Sequence, residues 1–190
     1  MTSQNQISII FIFLIIVSCN KKNDEWTQTN FDKNISQNDT IKMMNKLYDP
    51  DEFYNDSISG NKKTSFITYD NDYNKNVCEA EIIKDTLNIS IGFSSGFSSK
   101  GFRILYHDKK YKIEPYYGTD IIAVFVDDNG QEVYEEPPKH YFKNQKLVLN
   151  KTDYKKGDSI YGYVDFSSLE VRKDQNLNHS GKGYFKTKIE

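Results

Sequence analysis

Apolar residues are distributed along this chain in three ways. From Ile7 to Val17 they run almost unbroken, with Ser8 the one polar residue. Such a run is too short to cross a bilayer as a helix, which takes about 20 apolar residues, and it fits the roughly 7 to 15 of a secretory signal's apolar region. From Asp39 to Tyr48 the spacing is helical: Ile41, Met44 and Tyr48 share a face with Leu47 beside them. Asn38 or Asp39 can cap the start and Asp49-Pro50 stops it, so one short helix is predicted. From Thr64 onward the period is two.

That alternation predicts a series of short strands. Thr64 to Tyr69 and Cys78 to Lys84 come first, then Thr86 to Phe93 with Leu87, Ile89, Ile91 and Phe93 on one face. Phe102 to His107 and Lys110 to Tyr116 read as a hairpin across Asp108-Lys109, with Tyr111 and Ile113 inward. Ile121 to Val126 is apolar on both parities, which predicts a central strand covered on both faces around which the core is built. Asp127-Asp128-Asn129-Gly130 supplies a turn, because Asn and Gly accept positive φ. Gln131 to Glu135, Gln145 to Asn150, Asp158 to Phe166 and Lys182 to Ile189 complete the set. Short strands with Gly or Asn turns predict an all-β fold, an antiparallel sandwich of immunoglobulin-like type with one short N-terminal helix. An eight-stranded lipocalin-like barrel is the alternative, since closure also removes sheet edges.

The apolar run ends at Ile16-Val17-Ser18-Cys19. These residues resemble the lipobox of bacterial lipoproteins, which implies cleavage before Cys19 and acyl chains, palmitate among them, on its thiol and amine. Each buried methylene contributes about 0.8 kcal/mol, so several chains make a lasting anchor. Asn20-Lys21-Lys22-Asn23-Asp24-Glu25 is similar to the charged export signal of surface lipoproteins of the Bacteroidota. The resemblance implies an outer-membrane location, surface-exposed, with the periplasmic face as the alternative. The expected organisation is then a signal peptide over 1–18, a lipidated polar tether over 19–37, the helix and a linker over 38–63, and the sandwich over 64–190.

Composition narrows the partners. A net charge of −2 argues against nucleic acid and against binding to anionic lipid by charge alone. With Cys19 acylated, Cys78 is the remaining cysteine and no intramolecular disulfide is possible; its neighbours Val77 and Ala80 suggest a buried apolar position.

Candidate chemistry is sparse. Gly92-Phe93-Ser94-Ser95-Gly96 matches G-x-S-x-G after a strand, with Asp127 or Asp128 and His140 or His179 following in hydrolase order, but no helix follows to make a nucleophile elbow of it. Asp70, Asp72, Asn74 and Glu81 fall at calcium-loop spacing, yet Lys75 stands where the sharp turn needs Gly. His107, His140 and His179 lack metal-ligand spacing, so no metal and no cofactor are expected. Aromatic residues are abundant: Tyr161 and Tyr163 share a strand face and Phe97 sits in a Gly-Phe-Ser-Ser repeat, a candidate binding face for a glycan or an envelope protein. Asp39-Thr40-Ile41 and Asp56-Ser57-Ile58 resemble the O-glycosylation signal of exported Bacteroidota proteins, with Thr40 and Ser57 the acceptors. The expected role is a non-enzymatic envelope lipoprotein that binds or braces. An inhibitor or immunity lipoprotein against a secreted enzyme or toxin, and a lipid-anchored serine hydrolase acting through Ser94, are the alternatives.

Overall fold

The computed structural model describes residues 26–48, 62–71, 76–95, 97–119, 125–126, 129–133, 138–172 and 175–190. In chain order its strands are β1 (Thr27–Gln28), β2 (Asn30–Phe31), β3 (Ser65–Tyr69), β4 (Val77–Ile83), β5 (Thr86–Ser94) and β6 (Ser98–His107). They continue as β7 (Lys110–Thr119), β8 (Phe125–Val126), β9 (Glu132–Val133), β10 (Lys139–Leu149), β11 (Ser159–Val171) and β12 (Asn176–Lys188). Sheet I has the order β1-β7-β6-β5-β4 and sheet II the order β2-β10-β11-β12-β3. The chain is thus an all-β sandwich. Each sheet is mainly a meander, so the likeness to an immunoglobulin domain lies in architecture and not in strand order.

Local chemistry explains the meanders. Lys84-Asp85 and Asp108-Lys109 both adopt positive φ, the two-residue turn whose twist matches that of flanking strands. Leu87, Ile89 and Ile91 on β5 alternate inward with Ile104 and Tyr106 on β6 and Tyr111 and Ile113 on β7. Sheet II answers with Leu147, Leu149, Ile160, Val164, Phe166 and Phe185. Cys78 is free and buried in this core, as its neighbours suggest.

The pairing of β11 with β12 is locked by size. Phe185 lies opposite Gly162 and Phe166 opposite Gly181. A Cβ at Gly162 would come 2.2 Å from the Phe185 ring, and one at Gly181 would come 2.3 Å from the Phe166 ring. Each ring therefore lies over a bare backbone that only glycine provides.

Three expectations are corrected. The barrel does not form, because the two sheets keep separate strand orders. Their open sides are bridged by short segments instead: β1 pairs with β7 while β2 pairs with β10, and Ile189 bridges to Ala80. Residues 26–37, expected to be tether, belong to the fold: Trp26 packs edge-on against His107, and a 3-10 turn occupies Ile35–Gln37; residues 19–25 lie outside the described residues. Two-residue strands are too short to show any periodicity, which is why they read as polar linker. Finally, Phe125–Val126 pairs with Glu132–Val133 in a separate two-stranded ribbon and is not a central strand. Residues 121–124 lie outside the described residues. The central strands are β6 and β11, and the core closes around them.

The helix spans Asp39–Met44, with the Asn38 side chain accepting from the Thr40 N–H at 2.9 Å. It ends before Leu47 and Tyr48, which are exposed, while Ile41 and Met44 are fully buried on the outer face of sheet II.

Because the Gly–Phe pairs leave no room for a methyl group, Gly162→Ala and Gly181→Ala should each destabilise the fold by about 1–3 kcal/mol. Denaturant unfolding measures this, and an unchanged midpoint in both variants would show that the rings do not sit there.

Candidate functional site

Sheet II carries a row of polar side chains across its inner face at one end of the sandwich. Its order follows that of the strands: Asp70 just after β3, His179 on β12, Glu170 on β11 and His140 on β10. On β11 the even positions 160 to 170 point inward, which places Glu170 inside. On β12 His179 shares parity with Gly181 and Phe185. His140 needs a further device. The ladder between β10 and β11 shifts register between Phe142 and Asn144, so Lys143 is an extra residue. Below this bulge Leu147 and Leu149 face inward; above it Phe142 packs on the core and His140 lies opposite Glu170. Without the bulge His140 would point outward.

His179 is held from both sides. Its Nδ1 lies 2.8 Å from Asp70 Oδ2 and its Nε2 lies 2.7 Å from Glu170 Oε2, so as an imidazolium it donates to both carboxylates. The Tyr69 hydroxyl is 3.2 Å from Nδ1, and the Tyr69 ring stacks on the imidazole. Asp70 also accepts from the Ser180 N–H at 2.7 Å and faces Lys100 at 3.7 Å. Glu170 Oε1 accepts from Arg172 Nε, and the buried carboxylate lies 3.9 Å from His140 Nε2. The hydrogen bond to Asp70 raises the His179 pKa, and the bond to Glu170 adds to it against burial. Burial pushes the Asp70 carboxyl up, but the hydrogen bonds from His179 and Ser180 outweigh it. Burial likewise pushes Glu170 up, and Arg172 and His179 outweigh it, so both carboxyls sit below their ordinary values. His140 is different: burial lowers its pKa, only partly offset by Glu170.

A layer of aromatic rings, Tyr69, Phe102, Phe142 and Phe166, floors this row. From sheet I, Lys100 faces it with Phe93 and Tyr117 as its cross-strand neighbours. Both aromatics are exposed, as is Phe97 at 80% on the β5–β6 turn.

A second feature lies on the outer face of sheet II. There the N-terminal segment leaves a cleft of about 500 Å³ lined by Asp32, Asn34, Ile35, Gln37, Asn38, Lys146, Val148, Tyr163 and Tyr184. The Tyr163 and Tyr184 rings are 4.9 Å apart, and the Tyr163 hydroxyl donates to Asp165 at 3.1 Å.

No protein-family model, curated protein or solved structure matches this chain.

The residues singled out from sequence therefore scatter. Tyr161 and Tyr163 share the outer face of sheet II, both against the Ile35, Ile41 and Met44 cluster, with Tyr163 also lining the cleft; Phe97 projects from sheet I and makes no common face with them. Ser94 is exposed at the end of β5, and a hairpin follows it where an elbow needs a helix. Asp70 turns to His179 and Ser180, and Glu81 lies exposed on β4 beside Asn88; Asp72 and Asn74 lie outside the described residues. Thr40 sits half-buried in the first turn of the helix, while Ser57 and Cys19 lie outside the described residues. Two of the histidines that lack metal-ligand spacing in the sequence nevertheless meet in the fold: the His140 and His179 rings are 5.8 Å apart. Strand register and one bulge assemble them, and neither leaves a spacing signal.

Removing His179 would leave Asp70 and the buried Glu170 without their shared cation. His179→Gln should lower stability by on the order of 3 kcal/mol. The gap to the parent should be widest between about pH 4.5 and 6.5. Above 6.5 it shrinks as His179, whose folded value is raised, loses its proton; at lower pH it shrinks as the two carboxylates, whose folded values are lowered, gain theirs. His140, whose folded value is lowered by burial and also by the His179 charge, favours the unfolded chain below pH 6.5, and less so in His179→Gln, which narrows the gap further at low pH. Thermal melts of the pair across pH 4 to 9 measure the difference, and a gap independent of pH would contradict the ion-pair assignment.

Proposed function

We propose that this chain is the folded body of an exported, lipid-anchored envelope protein that acts by binding, and that its ligand is a glycan held in the cleft on the outer face of sheet II. The carrying observation is the cleft's composition. Two tyrosine rings lie beside Asp32, Asn34, Gln37 and Asn38, a set of carboxylate and amide groups on one wall. Tyrosine rings stack on the apolar faces of sugars, and amides and carboxylates pair with ring hydroxyls. Lys146, 5.9 Å from the Tyr163 ring centroid, adds a cation at the rim that suits an acidic sugar.

The anchoring part of this reading rests on Ile16-Val17-Ser18-Cys19 and the apolar run before it. Only a short stretch of sequence separates Cys19 from Trp26, the first of the described residues. Such a length holds the sandwich close to the membrane surface.

Two measurements test the two halves. Fed an alkynyl fatty acid, cells making the parent chain should label it and retain it in membranes, whereas Cys19→Ala should lose the label and become soluble. Equal labelling of both would remove the anchor. On immobilised envelope polysaccharide, the parent should bind saturably and Tyr163→Ala at least about tenfold more weakly, equivalent to about 1.4 kcal/mol. Saturable binding of a protein fraction alone, or no effect of Tyr163→Ala, would overturn the glycan assignment.

A further inference from the structure

We propose that His140, Glu170 and His179 form a binding site for a divalent transition-metal ion, with zinc the best match to the donor set. It lies on the opposite face of sheet II from the cleft and is independent of the glycan reading.

The three residues offer ligand atoms that all lie within 4.8 Å of one another. Two imidazoles and one carboxylate are a donor set zinc takes, leaving a fourth position open. Tetrahedral zinc with bonds of about 2.0–2.1 Å holds its donors about 3.3 Å apart. The present separations from Glu170 Oε2, 2.7 Å to His179 Nε2 and 3.9 Å to His140 Nε2, bracket that value. The ligands stand on three adjacent strands of one sheet, a rigid support.

The surroundings fit as well. Asp70 accepts from His179 Nδ1, the carboxylate–histidine arrangement that fixes a ligand's tautomer and aims Nε2 at a metal. Arg172 engages Glu170 Oε1 and leaves Oε2 facing both histidines. On binding, the proton on His179 Nε2 leaves to solvent, its lone pair takes the metal, and the Nδ1–H bond to Asp70 stays.

Two polar atoms beside the cluster argue that ion pairing among these residues is not their whole purpose. His140 Nδ1 and Ser168 Oγ are buried and have no hydrogen-bond partner. Ser168 is only 1% exposed and stands directly opposite His179 on the same inner face. Unpaired polar atoms at this depth are rare in folded proteins; with the ion on His140 Nε2, ordered water beside it would satisfy Nδ1 and Ser168 Oγ. His140 makes no hydrogen bond through Nδ1 that would explain its position as a structural residue, whereas its Nε2, 3.9 Å from Glu170 Oε2, is placed as a ligand atom.

The test uses the full chain, extracted in detergent and stripped of metal with a chelator. Zinc chloride titrated in a calorimeter should bind at one equivalent with micromolar or tighter affinity and raise the melting temperature. Cobalt(II) should give the strong visible absorption of a four-coordinate site. His140→Ala, which leaves the Asp70–His179–Glu170 pairing intact, should weaken zinc at least about 100-fold and abolish the cobalt spectrum while circular dichroism stays unchanged. Asp70→Asn should weaken zinc by about 10–100-fold. Absence of zinc and cobalt binding by the folded parent chain, or binding undiminished in His140→Ala, would overturn the site.

Discussion

The contact on which most of this structure depends is the reciprocal seating of Phe185 over Gly162 and Phe166 over Gly181. These two pairs fix β11 against β12 in the centre of sheet II. Side chains alternate with a period of two, so a slip of one residue would turn every inward position of one strand outward. The apolar positions Val164 and Phe166, and the polar positions Ser168 and Glu170, therefore share one determinant with His179. The same register that builds the core aligns the polar row at its end.

Above the aromatic layer the interior changes character. Below it, the sandwich is filled by Ile, Leu and Tyr side chains; above it, Asp70, His179, Glu170 and His140 cross four neighbouring strands. Alternation of acid and base along this row lets each carboxylate keep its charge at low exposure, because a cation lies beside it. The bulge at Lys143 adds the last member. A bulge costs ladder hydrogen bonds, and here it switches the parity of β10 so that Phe142 and His140 face the interior.

Much of the sandwich was legible in the sequence because alternation reports burial directly. Leu87, Ile89 and Ile91, Tyr111 with Ile113, Leu147 with Leu149, and Ile160 with Val164 and Phe166 all face the core as their parity implies. The turn at Asp108-Lys109 was legible for the same kind of local reason. The short pairings of 27–31 were not, since two residues carry no period. Ile121 to Val126 misled because a run apolar on both parities states hydrophobicity without a place in a sheet. The candidate sites were almost wholly illegible. The cleft joins residues 32–38 to Tyr163 and Tyr184, and the metal-ligand group joins 140, 170 and 179, so both are products of long-range register. Tyr161 and Tyr163, equal by parity, both pack against the Ile35, Ile41 and Met44 cluster, and Tyr163 also lines the cleft.

The most direct measurement is a nuclear Overhauser spectrum of the folded chain, which reads register in the core and at its end together. The Hα resonances of Gly162 and Gly181 should be shifted far upfield by the overlying rings and in contact with Phe185 and Phe166, and a cross-peak should join the His140 and His179 rings. Glycine shifts near those of an unstructured chain, with no ring contacts and no His140–His179 cross-peak, would contradict the register and with it the assembly of the site.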